Sequence, residues 1–163
     1  MLVDFHSLFE RYSRDVYRFA LYLSGDPSLA EEITQEAFVR VWVMPGEVRG
    51  GTVKAYLLTI ARNLYLAERR RAARHVALDS DLPDPKPGHE AVASGRQELD
   101  AVFRALQELP EADRTALLMH VQDGLSYAAI AAALGLSTAA VKVRVHRARI
   151  KLRGMCSRTE DEP

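Results

Sequence analysis

Basic side chains are concentrated in two segments of the 163-residue chain. Residues 137–154 include six Lys or Arg and no acidic residue, and residues 44–74 include seven basic and two acidic residues. Ammonium and guanidinium groups spaced along helices can neutralise a row of phosphates. The chemistry that these two segments predict is therefore the binding of a polyanion, and nucleic acid is the first candidate.

The total charge of the chain does not show this pattern. The sequence has 22 Lys or Arg and 22 Asp or Glu, so the formal net charge is zero, whereas a nucleic-acid-binding protein is expected to be basic. Exposed charges are screened beyond about 8 Å at physiological salt, so separate patches act locally. The neutral total therefore does not exclude a polyanionic partner.

The second basic segment follows a pattern typical of a helix-turn-helix. Ser126 can cap a short helix of small residues, Gly135 can provide a sharp turn, and Ser137 or Thr138 can cap the next helix. On that helix an apolar stripe faces inward, and its basic residues face outward, as major-groove recognition requires. The alternative is a helical hairpin with a solvated basic face. The basic or imidazole side chains of this helix are Lys142, Arg144, His146, Arg147, Arg149, Lys151 and Arg153.

The first half of the chain predicts three helices, and no segment shows the alternation of a strand. We therefore expect an all-α fold of two small helical domains. The arginines that extend the third helix could bind single-stranded nucleic acid or could only solubilise the helix end, and Tyr65 nearby could stack on a base. Tyr56 is expected to be a core residue. Trp42 is expected to be a core residue too, and an interface anchor is its alternative role.

Prolines at 83, 85 and 87 predict a flexible linker over residues 75–93. It separates domains at 1–74 and 94–155, and residues 156–163 form a polar tail. The segment Met44–Thr52 contains one proline and three glycines and is predicted to be a loop.

Several function classes fit the sequence poorly. The single Cys156 excludes an intrachain disulfide and is typical of a cytoplasmic protein. The longest apolar run, Ala128–Leu136, is too short to span a membrane. The histidines lack metal-ligand spacing, and no phosphate loop or nucleophile elbow is present. We therefore expect no enzyme activity, no cofactor and no metal.

Three motifs, in order along the chain, resemble one family. Residues 26–42, from Asp26 to Trp42, are similar to conserved region 2 of the extracytoplasmic-function (ECF) sigma factors of bacterial RNA polymerase, and Tyr56–Asn63 is similar to the family's next segment. Leu109-Pro110, Gly124–Ala131 and His146–Arg149 resemble region 4. The resemblance covers roughly Phe5–Arg153. Tyr56 departs from the usual tryptophan, and Ala139-Ala140 from a common glycine-threonine pair, which leaves the base preference open.

The resemblance implies a dissociable subunit that directs core polymerase to −35 and −10 promoter elements and helps to melt them. The implied partners are promoter DNA, the clamp helices of the largest core subunit, the flap of the second-largest subunit and an anti-sigma factor. Met44–Thr52 matches a loop that holds an extruded −10 base. The residues matching the core-binding surface are Glu32, Gln35, Glu36, Phe38 and Val39, those matching the −10 surface are Arg62, Asn63, Arg69 and Arg70, and those matching the −35 reader are Ser137, Thr138, Val141, Lys142, Arg144, Arg147 and Arg149.

Two other interpretations are a stand-alone helix-turn-helix regulator and an all-helical adaptor that never contacts DNA. The sequence does not establish whether the two domains pack together. Alternating basic and acidic segments make self-docking a hypothesis.

Overall fold

A computed structural model describes residues 4–43, 52–78 and 97–160, and these form seven helices without a strand. The all-α prediction is confirmed. Residues 44–51 of the predicted loop and residues 79–93 of the predicted linker lie outside the described residues, as do residues 94–96. The helices are α1 (Phe5–Ser24), α2 (Pro27–Val43), α3 (Val53–Leu78), α4 (Gln97–Glu108), α5 (Glu111–Val121), α6 (Tyr127–Leu134) and α7 (Thr138–Glu160).

Local sequence sets the corner between α1 and α2. Gly25 adopts φ 70°, a left-handed conformation that ends α1 and favours glycine. The Asp26 carboxylate then accepts hydrogen bonds from the Ser28 and Leu29 amides at 3.0 and 3.3 Å. Pro27, which has no N–H to satisfy, begins α2.

Two helices continue beyond the predicted boundaries. The third helix extends to Leu78 rather than ending at Arg74, and α7 extends to Glu160, so the predicted polar tail is helical from Cys156 to Glu160. Side chains 71–78 are exposed, so burial does not explain the extension of α3. Good helix formers such as Ala72 and Ala73 continue the helix, and no proline follows before Pro83.

The two predicted domains share one core. In the first half α1, α2 and α3 pack together, and in the second half α7 packs on α4, α5 and α6. Helix α1 also contacts α4 and α5, and α3 contacts α6. A continuous cluster of buried apolar side chains therefore runs from Leu8 in α1 to Ala148 in α7.

Arg114 connects the two halves. Its side chain is only 4% exposed and donates to the carbonyl of Leu23, which lies near the carboxyl end of α1. Carbonyls at a helix end lack intrahelical partners and carry partial negative charge, so they are good acceptors for a buried guanidinium. Arg114 also donates to Gln107 Oε1 at 3.0 Å, and the Gln107 amide donates to the Tyr22 carbonyl at 2.9 Å.

Candidate nucleic-acid and polymerase interfaces

Helices α6 and α7 form the predicted helix-turn-helix. The Ser126 hydroxyl accepts from the Ala129 amide at 3.1 Å, and Gly135 adopts φ 66° at the end of α6. Ser137, rather than Thr138, caps α7, because its hydroxyl accepts from the Ala140 amide at 3.1 Å. The two helices are bent by 105°, within the range of about 90–120° typical of this motif.

The inner face of α7 anchors it to the domain. Val141, Val145 and Ala148 are at most 1% exposed, and α7 packs against α5 and α6. Val141 was assigned to the −35 reader by resemblance, but in this structure it faces the core. It therefore supports α7 from inside and does not present its side chain to solvent.

The outer face of α7 is exposed near its amino end. Ser137, Thr138, Lys142 and Arg149 are all exposed. The Lys142 ammonium lies 5.9 Å from the centroid of the Tyr127 ring, a cation–π contact that restrains the side chain. These residues have the chemistry to contact base edges and phosphates.

Arg144 and Arg147, also assigned to the −35 reader, are paired with a carboxylate of the same domain while their side chains stay 30% and 58% exposed. The Asp113 carboxylate, on α5, accepts from Arg144 at 3.3 Å and from Arg147 at 3.1 Å through the same oxygen. Sequence reasoning missed Asp113, because it precedes the two arginines by about thirty positions and carries no motif of its own.

The predicted −10 residues of the first basic segment differ in how accessible they are. Asn63, Arg69 and Arg70 are exposed on α3. Arg62 is not free, since its Nε and Nη2 donate to the Glu111 carboxylate at 2.8 and 3.2 Å. The structure thus presents three of the four predicted −10 residues to solvent and pairs the fourth with α5.

The Glu111 carboxylate is favoured in its charged form. Burial alone would raise the pKa of Glu111, but hydrogen bonds from Arg62 and Thr115 outweigh it, so the pKa is lowered. Tyr65 is buried as well, and Arg69 lies over its ring at 5.8 Å. Stacking of Tyr65 on a base is therefore not available in this arrangement.

The predicted core-binding residues lie on α2. Glu32, Gln35, Glu36 and Val39 are exposed. Phe38 is only 2% exposed, and its ring meets Phe9 edge-on at 4.9 Å. Its assignment to the binding surface needs correction, because Phe38 is a core residue beneath that surface.

Trp42 was expected in the core, and this prediction is wrong. The indole is 64% exposed at the end of α2, and the Phe5 ring contacts it edge-on at 4.7 Å. Trp42 follows Phe38 by one helical turn, where α1 has only begun and covers little of α2. An exposed tryptophan beside Val39 and Val43, which are 51% and 66% exposed, extends the α2 surface with apolar area.

A second ionic cluster at the contact between the halves was also missed. The Lys54 ammonium lies 3.5 Å from Asp15 and 3.6 Å from Asp123, whose side chain is 2% exposed. Burial raises the pKa of Asp123 to about 6, against the attraction of Lys54. No sequence signal links these three residues, because they come from α1, α3 and the turn before α6.

Within the described ranges, no single helix is long and apolar enough to cross a membrane. The bent pair α6 and α7 passes that test by length and composition only, and it is the helix-turn-helix. In the same ranges no three His, Cys, Asp or Glu side chains are grouped to hold a metal ion.

The fold and these surfaces define a class of transcription factor. The family model "Sigma-70 region 2" matches residues 8–75, which contain most of α1, α2 and most of α3. The model "Sigma-70, region 4" matches residues 99–152, from α4 into α7.

Individual relatives identify the family within this class. SigL of Mycobacterium tuberculosis is 33% identical over 152 residues, covering 90% of this chain and 85% of SigL. SigE of Mycolicibacterium smegmatis is 34% identical over 95% of this chain, which spans 62% of SigE, and SigM of Bacillus subtilis is 29% identical over 97% of both proteins. The chain belongs to the ECF RNA polymerase sigma factor family.

Solved structures agree with this assignment. The sigma factor RpoE from Bartonella quintana, in complex with the anti-sigma factor NepR, superposes with a TM-score of 0.80 at 27% identity, covering 96% of this chain and 98% of RpoE. CnrH, in complex with the cytosolic domain of CnrY, gives a TM-score of 0.71 at 25% identity, covering 97% of this chain and 89% of CnrH. Both similarities extend across the two halves.

Proposed function

We propose that this chain binds core RNA polymerase, directs it to promoters through −35 and −10 elements, and assists melting of the −10 region. The observation that carries this proposal is the combination of surfaces on one chain. A capped recognition helix lies in the second half, and an exposed acidic surface on α2 lies beside the arginine-rich α3 in the first half. A stand-alone regulator has no need for the first half, and the sequence relatives support the sigma factor interpretation.

The amino-terminal turns of α7 would read the −35 element. In helix-turn-helix proteins these turns meet base edges, while flanking basic residues contact phosphates. Thr138 and Lys142 are exposed at those turns, and Arg149 is exposed two turns further along. We assign base contacts to the first two and a phosphate contact to Arg149.

The exposed face of α3 would bind the −10 strand. Asn63, Arg69 and Arg70 are available as the structure stands, whereas Arg62 has to leave Glu111 before it can bind a phosphate. Promoter binding through Arg62 therefore requires its ion pair with Glu111 to open. The proposed role of Met44–Thr52 in holding an extruded base concerns a segment that is almost wholly outside the described residues.

Core polymerase would bind the outer face of α2. We assign this surface to Glu32, Gln35, Glu36 and Val39 and add Trp42, because buried aromatic anchors contribute strongly to protein interfaces. The expected partner elements are the clamp helices of the largest subunit, with the flap of the second-largest subunit meeting the second half.

An anti-sigma factor is a further proposed partner. The RpoE structure contains the anti-sigma factor NepR, and the CnrH structure contains the cytosolic domain of CnrY. Their similarity across both halves of this chain supports a regulator of the same kind here. We place the activity in the cytoplasm, where polymerase and promoter DNA are found.

Two sets of substitutions test the separate assignments of −35 recognition to α7 and of core binding to α2. Lys142→Ala should weaken use of the −35 element while core binding is retained, whereas Glu32→Ala with Gln35→Ala should reduce holoenzyme formation while the melting temperature is retained. Lys151→Ala is the matched control for Lys142, because Lys151 lies on α7 but donates to the Glu108 carbonyl at 3.1 Å. Equal −35 dependence in the Lys142 variant and the wild type would contradict the assignment, as would normal core affinity in the α2 variant.

A further inference from the structure

Asp113, on α5, accepts hydrogen bonds from two arginines of the proposed recognition helix α7. Its side chain is 7% exposed, and one carboxylate oxygen accepts from Arg144 Nη1 at 3.3 Å and from Arg147 Nη2 at 3.1 Å. Asp113 lies in the first turn of α5, where the helix dipole favours a negative charge. The carboxylate is thus anchored by α5 and bonded to α7.

The two arginines keep donors for another ligand. Their side chains remain 30% and 58% exposed, respectively. A guanidinium has five N–H donors, and each bond to Asp113 uses one of them. Both arginines can therefore bind a phosphate or a base edge while Asp113 restrains them.

Asp113 affects DNA binding by Arg144 and Arg147 in two opposite ways, by restraining their side chains and by offsetting their positive charge. A restrained guanidinium loses less side-chain entropy when it binds and reaches fewer positions, which favours one DNA geometry over others. The negative charge of Asp113 also offsets part of the positive charge of the arginines, which weakens attraction to phosphates of any sequence.

We propose that Asp113 is a positioning residue for −35 recognition, which directs Arg144 and Arg147 and thereby increases discrimination between −35 sequences. This inference rests on the proposed function. It adds a specificity residue on α5, outside the recognition helix and outside the residues assigned by resemblance.

The test compares holoenzymes made with wild-type chain and with Asp113→Asn. Each is bound to a promoter fragment selected from a random library by the wild-type holoenzyme, and to the same fragment with a scrambled −35 element. We expect the ratio of the two affinities to fall about tenfold, the order of one well-formed side-chain contact to DNA. The scrambled fragment should bind at least as tightly as before, because a repulsive charge has been removed.

Three controls separate positioning from folding. Glu108→Gln removes an exposed acid at the end of α4 and should leave the ratio unchanged. Asp113→Glu keeps the charge but displaces the carboxylate by one methylene, so it should give an intermediate ratio. In a background of Arg144→Gln and Arg147→Gln, Asp113→Asn should have no further effect.

Several results would overturn the proposal. These are an unchanged ratio in Asp113→Asn, a parallel loss of affinity for both fragments, or a remaining effect of Asp113→Asn without the two arginines. If Asp113→Asn does not fold, a wild-type ratio in Asp113→Glu overturns it instead. Failure of the wild-type holoenzyme to prefer any fragment would reject the proposed function and not the role of Asp113.

Discussion

Phe38 and Val39 are adjacent in the sequence, but the geometry of α2 gives them different roles. Successive residues of an α-helix are rotated by about 100°, so Phe38 enters the core at 2% exposure while Val39 is 51% exposed. The same rotation separates Val141, fully buried on α7, from the exposed Lys142. Motif resemblance selects both members of each pair, and burial determines which one can meet a partner.

Alanine at Phe38 should mainly lower the stability of the fold, whereas alanine at Val39 should mainly lower the affinity for core polymerase. Phe38→Ala should lower the free energy of unfolding by about 3–4 kcal/mol, since it removes a buried aromatic ring and leaves a cavity. Val39→Ala should change it by less than about 0.5 kcal/mol and lower the affinity for core polymerase. Urea denaturation and a core-binding assay measure the two effects. A stable Phe38→Ala protein would contradict the placement of Phe38 in the core.

Asp123 gives the contact between the halves a dependence on pH. Burial raises its pKa from 3.8 to about 6 in the folded chain, so folding takes up a proton between these values. The stabilisation is fully present below the unfolded pKa and is lost as the pH rises through about 6. The wild type should therefore lose on the order of 2 kcal/mol more stability than Asp123→Asn between about pH 4 and pH 6.

Thermal melts of both proteins across this range measure the difference. Asp100→Asn, on α4, controls for the loss of a carboxylate and should follow the wild type. Parallel pH curves for the wild type and Asp123→Asn would show that Asp123 does not titrate in this range.

The ends of helices can be predicted from the sequence, because neighbouring residues determine them. The turn at Gly135 and the cap at Ser126 were predicted, because a turn depends on a few adjacent residues. The partners of Arg62, Arg144 and Arg147 could not be predicted. Their carboxylates come from α5, and only the packing of helices brings them within hydrogen-bond distance.

Alanine substitution at two glycines of the second half should change the free energy of unfolding in opposite directions. Neither position has an atom within 4 Å of an added Cβ, so backbone conformation alone decides the outcome. Gly135→Ala should cost about 1 kcal/mol, because φ 66° strains an L-residue. Gly154→Ala, inside α7, should stabilise the chain by about 0.5–1 kcal/mol through helix propensity. Chemical denaturation measures both, and a stabilising Gly135→Ala would contradict the turn geometry.

The two halves of the molecule pack together in a closed arrangement, in which one of the predicted DNA-binding residues is paired. Arg62 is paired with Glu111, and Arg114 and Asp123 are buried where the halves meet. Some of the basic and acidic residues that balance in the total charge therefore contact each other between the halves. Charge patterning made such docking a hypothesis, but no sequence pattern identified the residues that form it.

Weakening this contact should release Arg62. Glu111→Gln removes the charge that holds the guanidinium, so affinity for a single-stranded oligonucleotide should rise severalfold and small-angle scattering should show a larger radius of gyration. Glu68→Gln is the matched control, because Glu68 pairs with the exposed Arg71 of the same helix at 3.1 Å. Equal oligonucleotide affinity in the wild type and Glu111→Gln would show that the pair does not limit access to α3.

Transcription by core polymerase that lacks any sigma factor tests the central claim most directly. With a library of promoter fragments, we expect transcripts with defined start sites only when the core and this chain are both present. Tight, sequence-specific binding of duplex DNA by the chain alone, without transcripts from the combined proteins, would contradict it.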